Sequence, residues 1–281
     1  LSEQELRDAL LLAGAALIVL PLVPDRAVPW LEGFNPRRLW ALVVLLMALQ
    51  AVGYVALRLA GARLGLALSG LASGFVSSTA TVAALGSRAR HTPAVWLACV
   101  SGAWLSCVAT AVQLALICAA LQPSLARQLA LPLAASALAA LLLGAAAVRR
   151  APAHGGPVRQ GRAFSLRQSL GFALLLTAVS LGVAWVQQHV GSTQAGLLAA
   201  LAGFADAHAA SASLAGLAAA GRLTDGQAAW AILAVLSTNT VSKMVAAAVS
   251  GHARYAGVGA AGLALITAAA WAAWLGQRAL A

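Results

Sequence analysis

Charge is absent from most of this chain, and the pattern of its absence limits what the chain can fold into. Nine apolar stretches occupy residues 6–23, 39–57, 65–87, 93–120, 129–148, 168–188, 195–220, 227–249 and 255–276, joined by short connections bearing Arg, Pro and Gly. A helix needs about 20 apolar residues to cross the hydrocarbon core. Such segments must satisfy every backbone group internally, which a helix does. Of the 281 residues, 62% are hydrophobic and 9% charged, where a soluble domain carries about 25% charged. A water-soluble enzyme is therefore a poor fit. The expected fold is all-α: one polytopic transmembrane helical bundle over residues 1–281, with about nine segments. Cys99, Cys107 and Cys118 share one segment at a spacing that suits neither a zinc site nor a disulfide framework. They read as small apolar residues of a buried helix.

The formal net charge of +11 invites a nucleic-acid reading, but the basic residues sit at the ends of the apolar stretches. If all nine span, the side holding the connection 149–167 carries the larger share of Arg, so that loop and the C-terminus are cytoplasmic. Were 65–87 and 195–220 both re-entrant, that loop would still be cytoplasmic and the N-terminus would change sides. The loop has no aromatic interleaving, so nucleic acid is not an expected partner. Trp30, Trp40, Trp96, Trp185, Trp230, Trp271 and Trp274 lie near segment ends, where amphipathic rings settle at the interface.

An internal repeat is legible. The run Gly74-Phe75-Val76-Ser77-Ser78-Thr79-Ala80 aligns with Gly203-Phe204-Ala205-Asp206-Ala207-His208-Ala209, and the same shift carries Leu39 to Gln168. Two four-segment repeats, about 39–148 and 168–276, would then follow one N-terminal helix. Repeats of this kind are frequent in transporters, where the substrate site lies near the midplane.

Most charged residues lie at the ends of the apolar stretches, and two do not: Asp206 and Lys243. An ionised side chain at mid-bilayer depth costs on the order of 2.5–3.5 kcal/mol, so two in one bundle invite pairing. One reading is a structural ion pair; the other is a cation or proton site at which Asp206 exchanges Lys243 for a bound cation. His208 follows Asp206 by two residues and would point away from it on an intact helix. Broken or unwound at Gly203, the segment would let both reach one site, so Asp206 and His208 are the candidate ligands for a metal ion. Asn239 and Lys243, four apart, share a helix face. In the first repeat Ser77 and Thr79 stand where Asp206 and His208 stand in the second, and Ser77, Ser78 and Thr79 join the candidate ion site. Ser69, Ser73, Ser77 and Thr81 recur every four residues as a polar stripe, with Gly70 and Gly74 beside them. Ser69 and Ser73 read as helix packing. Gln113 is expected to hydrogen-bond to a neighbouring helix.

Nucleotide loops, catalytic triads, metalloprotease motifs and haem signatures do not occur in the sequence, so no enzyme activity is expected and no cofactor beyond a bound cation. The chain does resemble a bacterial membrane family. Pro21-Leu22-Val23-Pro24-Asp25, Asn35-Pro36, Gly53-Tyr54, Ser77-Ser78-Thr79-Ala80, the Asp206-Ala207-His208 run and Asn239-Thr240 with Lys243 are similar to the domain of unknown function 4010. That domain is usually found behind an MgtC/SapB-type membrane domain. The resemblance implies a multi-pass protein of the bacterial inner membrane with an MgtC-like half before Leu1, which the absent initiator Met fits. The stretch 93–120 departs from the pattern: it has no basic residue as a counterpart of Lys243, so a symmetric two-charge site is not expected. The leading expectation is a secondary transporter or ion-coupled permease for a small cation. The competing one is a non-transporting membrane module that binds or regulates a partner protein. Expected partners are the lipid bilayer, a small cation or proton, an MgtC-like domain, and a second copy of the chain in a homo-oligomer.

Overall fold

The apolar stretches become helices because a helix satisfies its peptide groups within one segment and so spares them from lipid. A computed structural model describes residues 3–26, 28, 35–60, 65–151 and 166–280. Helix α1 (Glu3–Gly14) passes through a π-helical turn, Ala15–Val19, into the short α2 (Leu20–Leu22). Then come α3 (Pro36–Ala60), α4 (Leu66–His91), a 3-10 turn Pro93–Val95, α5 (Trp96–Leu121) and α6 (Pro123–Arg150). After the 149–167 connection, whose residues 152–165 lie outside the described ones, follow α7 (Leu166–His189), α8 (Ser192–Ala202) and α9 (Ala207–Ala219). The chain ends with α10 (Asp225–Ser250) and α11 (Ala253–Leu280). Of the described residues 90% are helical and none is in a strand. Among the described residues, six helical stretches are long and apolar enough to cross a membrane: Pro36–Val55, Leu66–His91, Pro93–Leu121, Pro123–Arg150, Asp225–Ser250 and Ala253–Leu280. The chain is a multi-pass helical membrane protein. Trp30 of the expected aromatic belt lies outside the described residues, and Trp274, also expected there, is buried.

Local chemistry sets several of the boundaries. Asn35 caps α3 by accepting from the backbone N–H of Arg37 at 2.9 Å, and Pro36 supplies a helix-ready φ at the first position. The side-chain amide of Asn35 also donates to Asp25 Oδ1 at 2.8 Å, which ties two of the resemblance motifs together. At α10, Thr224 and Gln227 form a reciprocal capping box: Gln227 N–H donates to Thr224 Oγ1 at 3.2 Å, and Thr224 N–H to Gln227 Oε1 at 3.0 Å. Gly221, with φ +70°, makes the turn after α9 that a side chain would resist.

Two compact units emerge from the packing. The first comprises Leu1–Ala51, Leu116–Gln128 and Arg162–Thr238, and the second Val52–Ala115, Leu129–Gly161 and Asn239–Ala281. In the first unit α7 lies along both α8 and α9. Arg222, just beyond α9, donates to Gln187 Oε1 on α7 at 2.9 Å and receives the Gln187 amide on its own carbonyl at 3.0 Å. In the second unit, Trp104 on α5 donates to Gly259 O on α11 at 3.0 Å, with Gly262 making room for its ring. Tyr255 donates to Val82 O on α4 at 2.7 Å, and Arg90 reaches the carbonyls of Val249 at 2.8 Å and Gly251 at 2.6 Å. Cys99 and Cys107 pack into this core, and all three cysteines are free and buried, in agreement with their apolar reading.

Candidate functional site

Two helices are interrupted partway along their length, and the candidate residues gather at the interruptions. In the second unit α4 loses helical geometry at Ser77, whose φ −166° and ψ 109° are extended. The break frees donors ahead of it and acceptors behind it, which must find new partners inside an apolar bundle. Ser77 Oγ accepts from the N–H of Ala80 at 3.3 Å, capping the stretch that follows. Behind it, Phe75 O accepts from the Gln113 amide on α5 at 3.1 Å. Gln113 thus bonds to a neighbouring helix as expected, and its target is a carbonyl at the break. The polar stripe of four-residue spacing does not run along an unbroken helix, because Ser77 departs from it. Thr81 recovers the connection by donating to Ser77 O at 2.8 Å, and its hydroxyl also lies 3.0 Å from Ser73 Oγ.

The first unit contains the second interruption. The apolar stretch 195–220 divides into α8 and α9, and Asp206, at φ −159° and ψ 124°, caps α9. Its Oδ1 accepts from Ala209 N–H at 2.7 Å, the same three-residue reach that Ser77 makes to Ala80. Unwinding also turns His208 back towards Asp206, with Nδ1 lying 3.4 Å from Oδ2. A single helix would have kept the two side chains apart; the break unites them. Behind it, Thr238 on α10 donates to Ala200 O at 2.6 Å, serving the end of α8. Carboxylate and imidazole together can bind and release a proton, or offer an oxygen and a nitrogen to a cation. Among the described residues no group of three or more His, Cys, Asp or Glu is assembled.

Asn239 and Lys243 stand one turn apart on α10, in the second unit, and both are buried. Lys243 Nζ donates to Thr110 Oγ1 at 3.1 Å and lies 3.9 Å from Cys107 Sγ. Thr110 in turn donates to Ser78 Oγ at 3.0 Å, so Lys243, Thr110 and Ser78 form one hydrogen-bonded chain ending at the α4 break. Ser77 is exposed, Ser78 buried and Thr79 half-buried. Asp206 and His208 belong to the first unit.

A family model described as a domain of unknown function, DUF4010, matches residues 44–251. The chain belongs to the DUF4010 family. The match takes in both interruptions and the polar run of α10. No curated protein and no solved structure matches the chain.

Sequence reasoning missed Thr110, the node between Ser78 and Lys243. A signal existed: Ser106, Thr110 and Gln113 recur at helical spacing along one of the most apolar stretches, and the shift that carries Ser77 to Asp206 carries Thr110 to Asn239.

Proposed function

We propose that the chain is a secondary transporter, an ion-coupled permease for a small cation, in which Asp206 and His208 bind and release the cation or a proton. The observation that carries this reading is the interruption between α8 and α9, which sets a carboxylate and an imidazole 3.4 Å apart within an apolar stretch. Intramembrane ionisable groups are expensive and mark ion pathways more often than packing. Discontinuous helices are a recurrent way to build such sites. Asn239, Lys243, Ser77, Ser78 and Thr79 are the polar groups of the second unit in the same reading.

An internal repeat of two four-segment halves supports it. The shift from Ser77 to Asp206, 129 residues, carries both ends of α5, Trp96 and Leu121, onto both ends of α10, Asp225 and Ser250. The same shift carries Ala60, the end of α3, onto His189, the end of α7. In this reading the chain has nine segments, lies in a bacterial inner membrane with the 149–167 loop cytoplasmic, and works beside an MgtC-like domain.

The test is Asp206→Asn in a proteoliposome flux assay. Asn caps helices about as well as Asp, so the break stays closed while the charge goes. Ion-coupled uptake is expected to fall to background; unchanged uptake ends the proposal. One observation favours the other reading, a non-transporting membrane module that binds or regulates a partner. Both carboxylate oxygens of Asp206 already have partners within the chain, Oδ1 on Ala209 and Oδ2 beside His208. That reading requires no flux in the wild-type protein under any cation gradient.

A further inference from the structure

Lys243 is a buried basic side chain with no acidic residue in its own unit. Its side chain is 1% exposed. The second unit contains no Asp or Glu anywhere in its sequence, whereas ten of the 18 basic residues fall within it. All seven acidic residues belong to the first unit. Burying an ammonium is costly unless it is both paired and hydrogen-bonded. A threonine hydroxyl supplies the hydrogen bond and no counter-charge.

The direction of the hydrogen bonds makes a second, independent point. Lys243 donates to the Thr110 hydroxyl, and Thr110 donates its own proton to Ser78 Oγ. Ser78 is itself 5% exposed, and among the described residues its hydroxyl proton meets no acceptor. The chain of donors therefore ends on a donor. Ser78 also opens the helical stretch 78–91 that restarts after Ser77. The start of a helix carries partial positive charge and free N–H groups that favour an anion.

We propose that Lys243, Thr110 and Ser78, with the start of the 78–91 helix, form a binding site for a compact anion of single negative charge. Its chemistry is that of a halide ion or the carboxylate of a small organic acid. Lys243 balances the charge, Ser78 donates to the anion, and Thr110 holds the two in register. A larger or doubly charged anion would require a second basic side chain, and Lys243 is the one cation this chain of hydrogen bonds contains. The site stands whether or not the protein transports a cation at Asp206.

The test uses the purified full chain in detergent, titrated with sodium bromide or with sodium acetate. Ionic strength is held constant with sodium methanesulfonate, and thermal melting is the readout. A ligand that binds only the folded state stabilises it by RT ln(1 + [L]/Kd), so with at least one of the two salts Tm is expected to rise by several degrees, along that logarithmic curve. A bromide response assigns a halide, and an acetate response assigns a carboxylate. The rise is lost in Lys243→Met and kept in Lys243→Arg. The absence of a rise with either salt overturns the proposal, as does an equal rise in Lys243→Met. Should Lys243→Met not fold, Ser78→Ala decides. It keeps the lysine and removes one donor to an anion, so the salt concentration needed for a given rise in Tm increases about tenfold; an unchanged concentration overturns the site. The titration needs no gradient and no transported cation, so its failure and that of the transport reading are told apart.

Discussion

The two interrupted helices use one backbone device with two different chemistries. Ser77 and Asp206 hold nearly the same extended dihedrals, and each caps the N–H three residues on. In each case a side chain from a neighbouring helix serves a carbonyl behind the break, Gln113 for Phe75 and Thr238 for Ala200. The difference is the cap: a hydroxyl in one helix and a carboxylate beside an imidazole in the other. A serine suffices to keep a helix interrupted, so the carboxylate is more than capping requires. That surplus is the argument for chemistry at Asp206.

The largest effect comes from making the two alike. Asp206→Ser gives the second interruption the cap of the first. Serine ranks with aspartate as a cap, so the melting temperature should stay within a few degrees of wild type. Cation-coupled uptake into proteoliposomes should nevertheless fall to background. Uptake surviving the exchange would mean that the carboxylate is only a cap, and the comparison would collapse.

Next is the packing that brings each broken helix against its neighbour. A Cβ added to Gly74 would meet Ser106 Cα at 2.8 Å, and one added to Gly203 would meet Val235 O at 2.7 Å. The obstacles are backbone atoms, which cannot rotate away. Without a hydrophobic drive between helices in lipid, close backbone approach is a main source of association. Gly74→Ala and Gly203→Ala should each destabilise by about 1–3 kcal/mol, the usual range for overpacking. The check is the melting of the two variants side by side. At Gly203 the added methyl also presses on Thr238 Oγ1, the group that serves Ala200 O, so its loss should be the larger.

How much of this was legible depends on what kind of signal each feature leaves. Long apolar runs announce helices, because lipid allows little else, and the runs at 39–57, 93–120 and 255–276 lie inside α3, the Pro93–Leu121 stretch and α11. Asp206 stood out because its charge is misplaced, and its proximity to His208 was legible only on the condition that the segment breaks near Gly203. Ser77 left no such signal. A serine carries no charge to mark it as misplaced and is tolerated inside membrane helices, so the regular Ser69, Ser73, Ser77, Thr81 spacing reads as one unbroken face. Whether α4 continues or stops at Ser77 is decided by Gln113 and Thr81, which lie far away in sequence or one turn ahead. Single-residue breaks are tertiary facts.

The helpers behind each break come third. Gln113→Leu and Thr238→Val are close in size to the native side chains and leave Phe75 O and Ala200 O without these donors. A buried polar group deprived of its partner costs about 1–3 kcal/mol, and thermal melts of the two variants measure it. Thr238→Val should be the more damaging, because its bond is 2.6 Å where that of Gln113 is 3.1 Å. Equal melting of both variants and wild type would show that the interruptions need no support from α5 or α10.

The smallest effect compares the caps themselves, and it requires a correction for charge. Asp206→Ala removes a hydrogen bond but also a carboxylate whose burial is unfavourable, so the two changes oppose each other. Asp206→Asn removes the charge and keeps the cap. The difference in melting between the Ala and Asn variants therefore isolates the cap, with about 1 kcal/mol expected. Ser77→Ala needs no correction and gives the corresponding figure for the first interruption. Asp206 accepts at 2.7 Å and Ser77 at 3.3 Å, and hydrogen bonds weaken as they lengthen. The Ala–Asn difference at 206 should therefore exceed the Ser77→Ala loss. If the order reverses, the serine is the stronger cap, and the carboxylate is retained at 206 at a structural disadvantage. That result would place still more of the reason for Asp206 in ion chemistry and less in the fold.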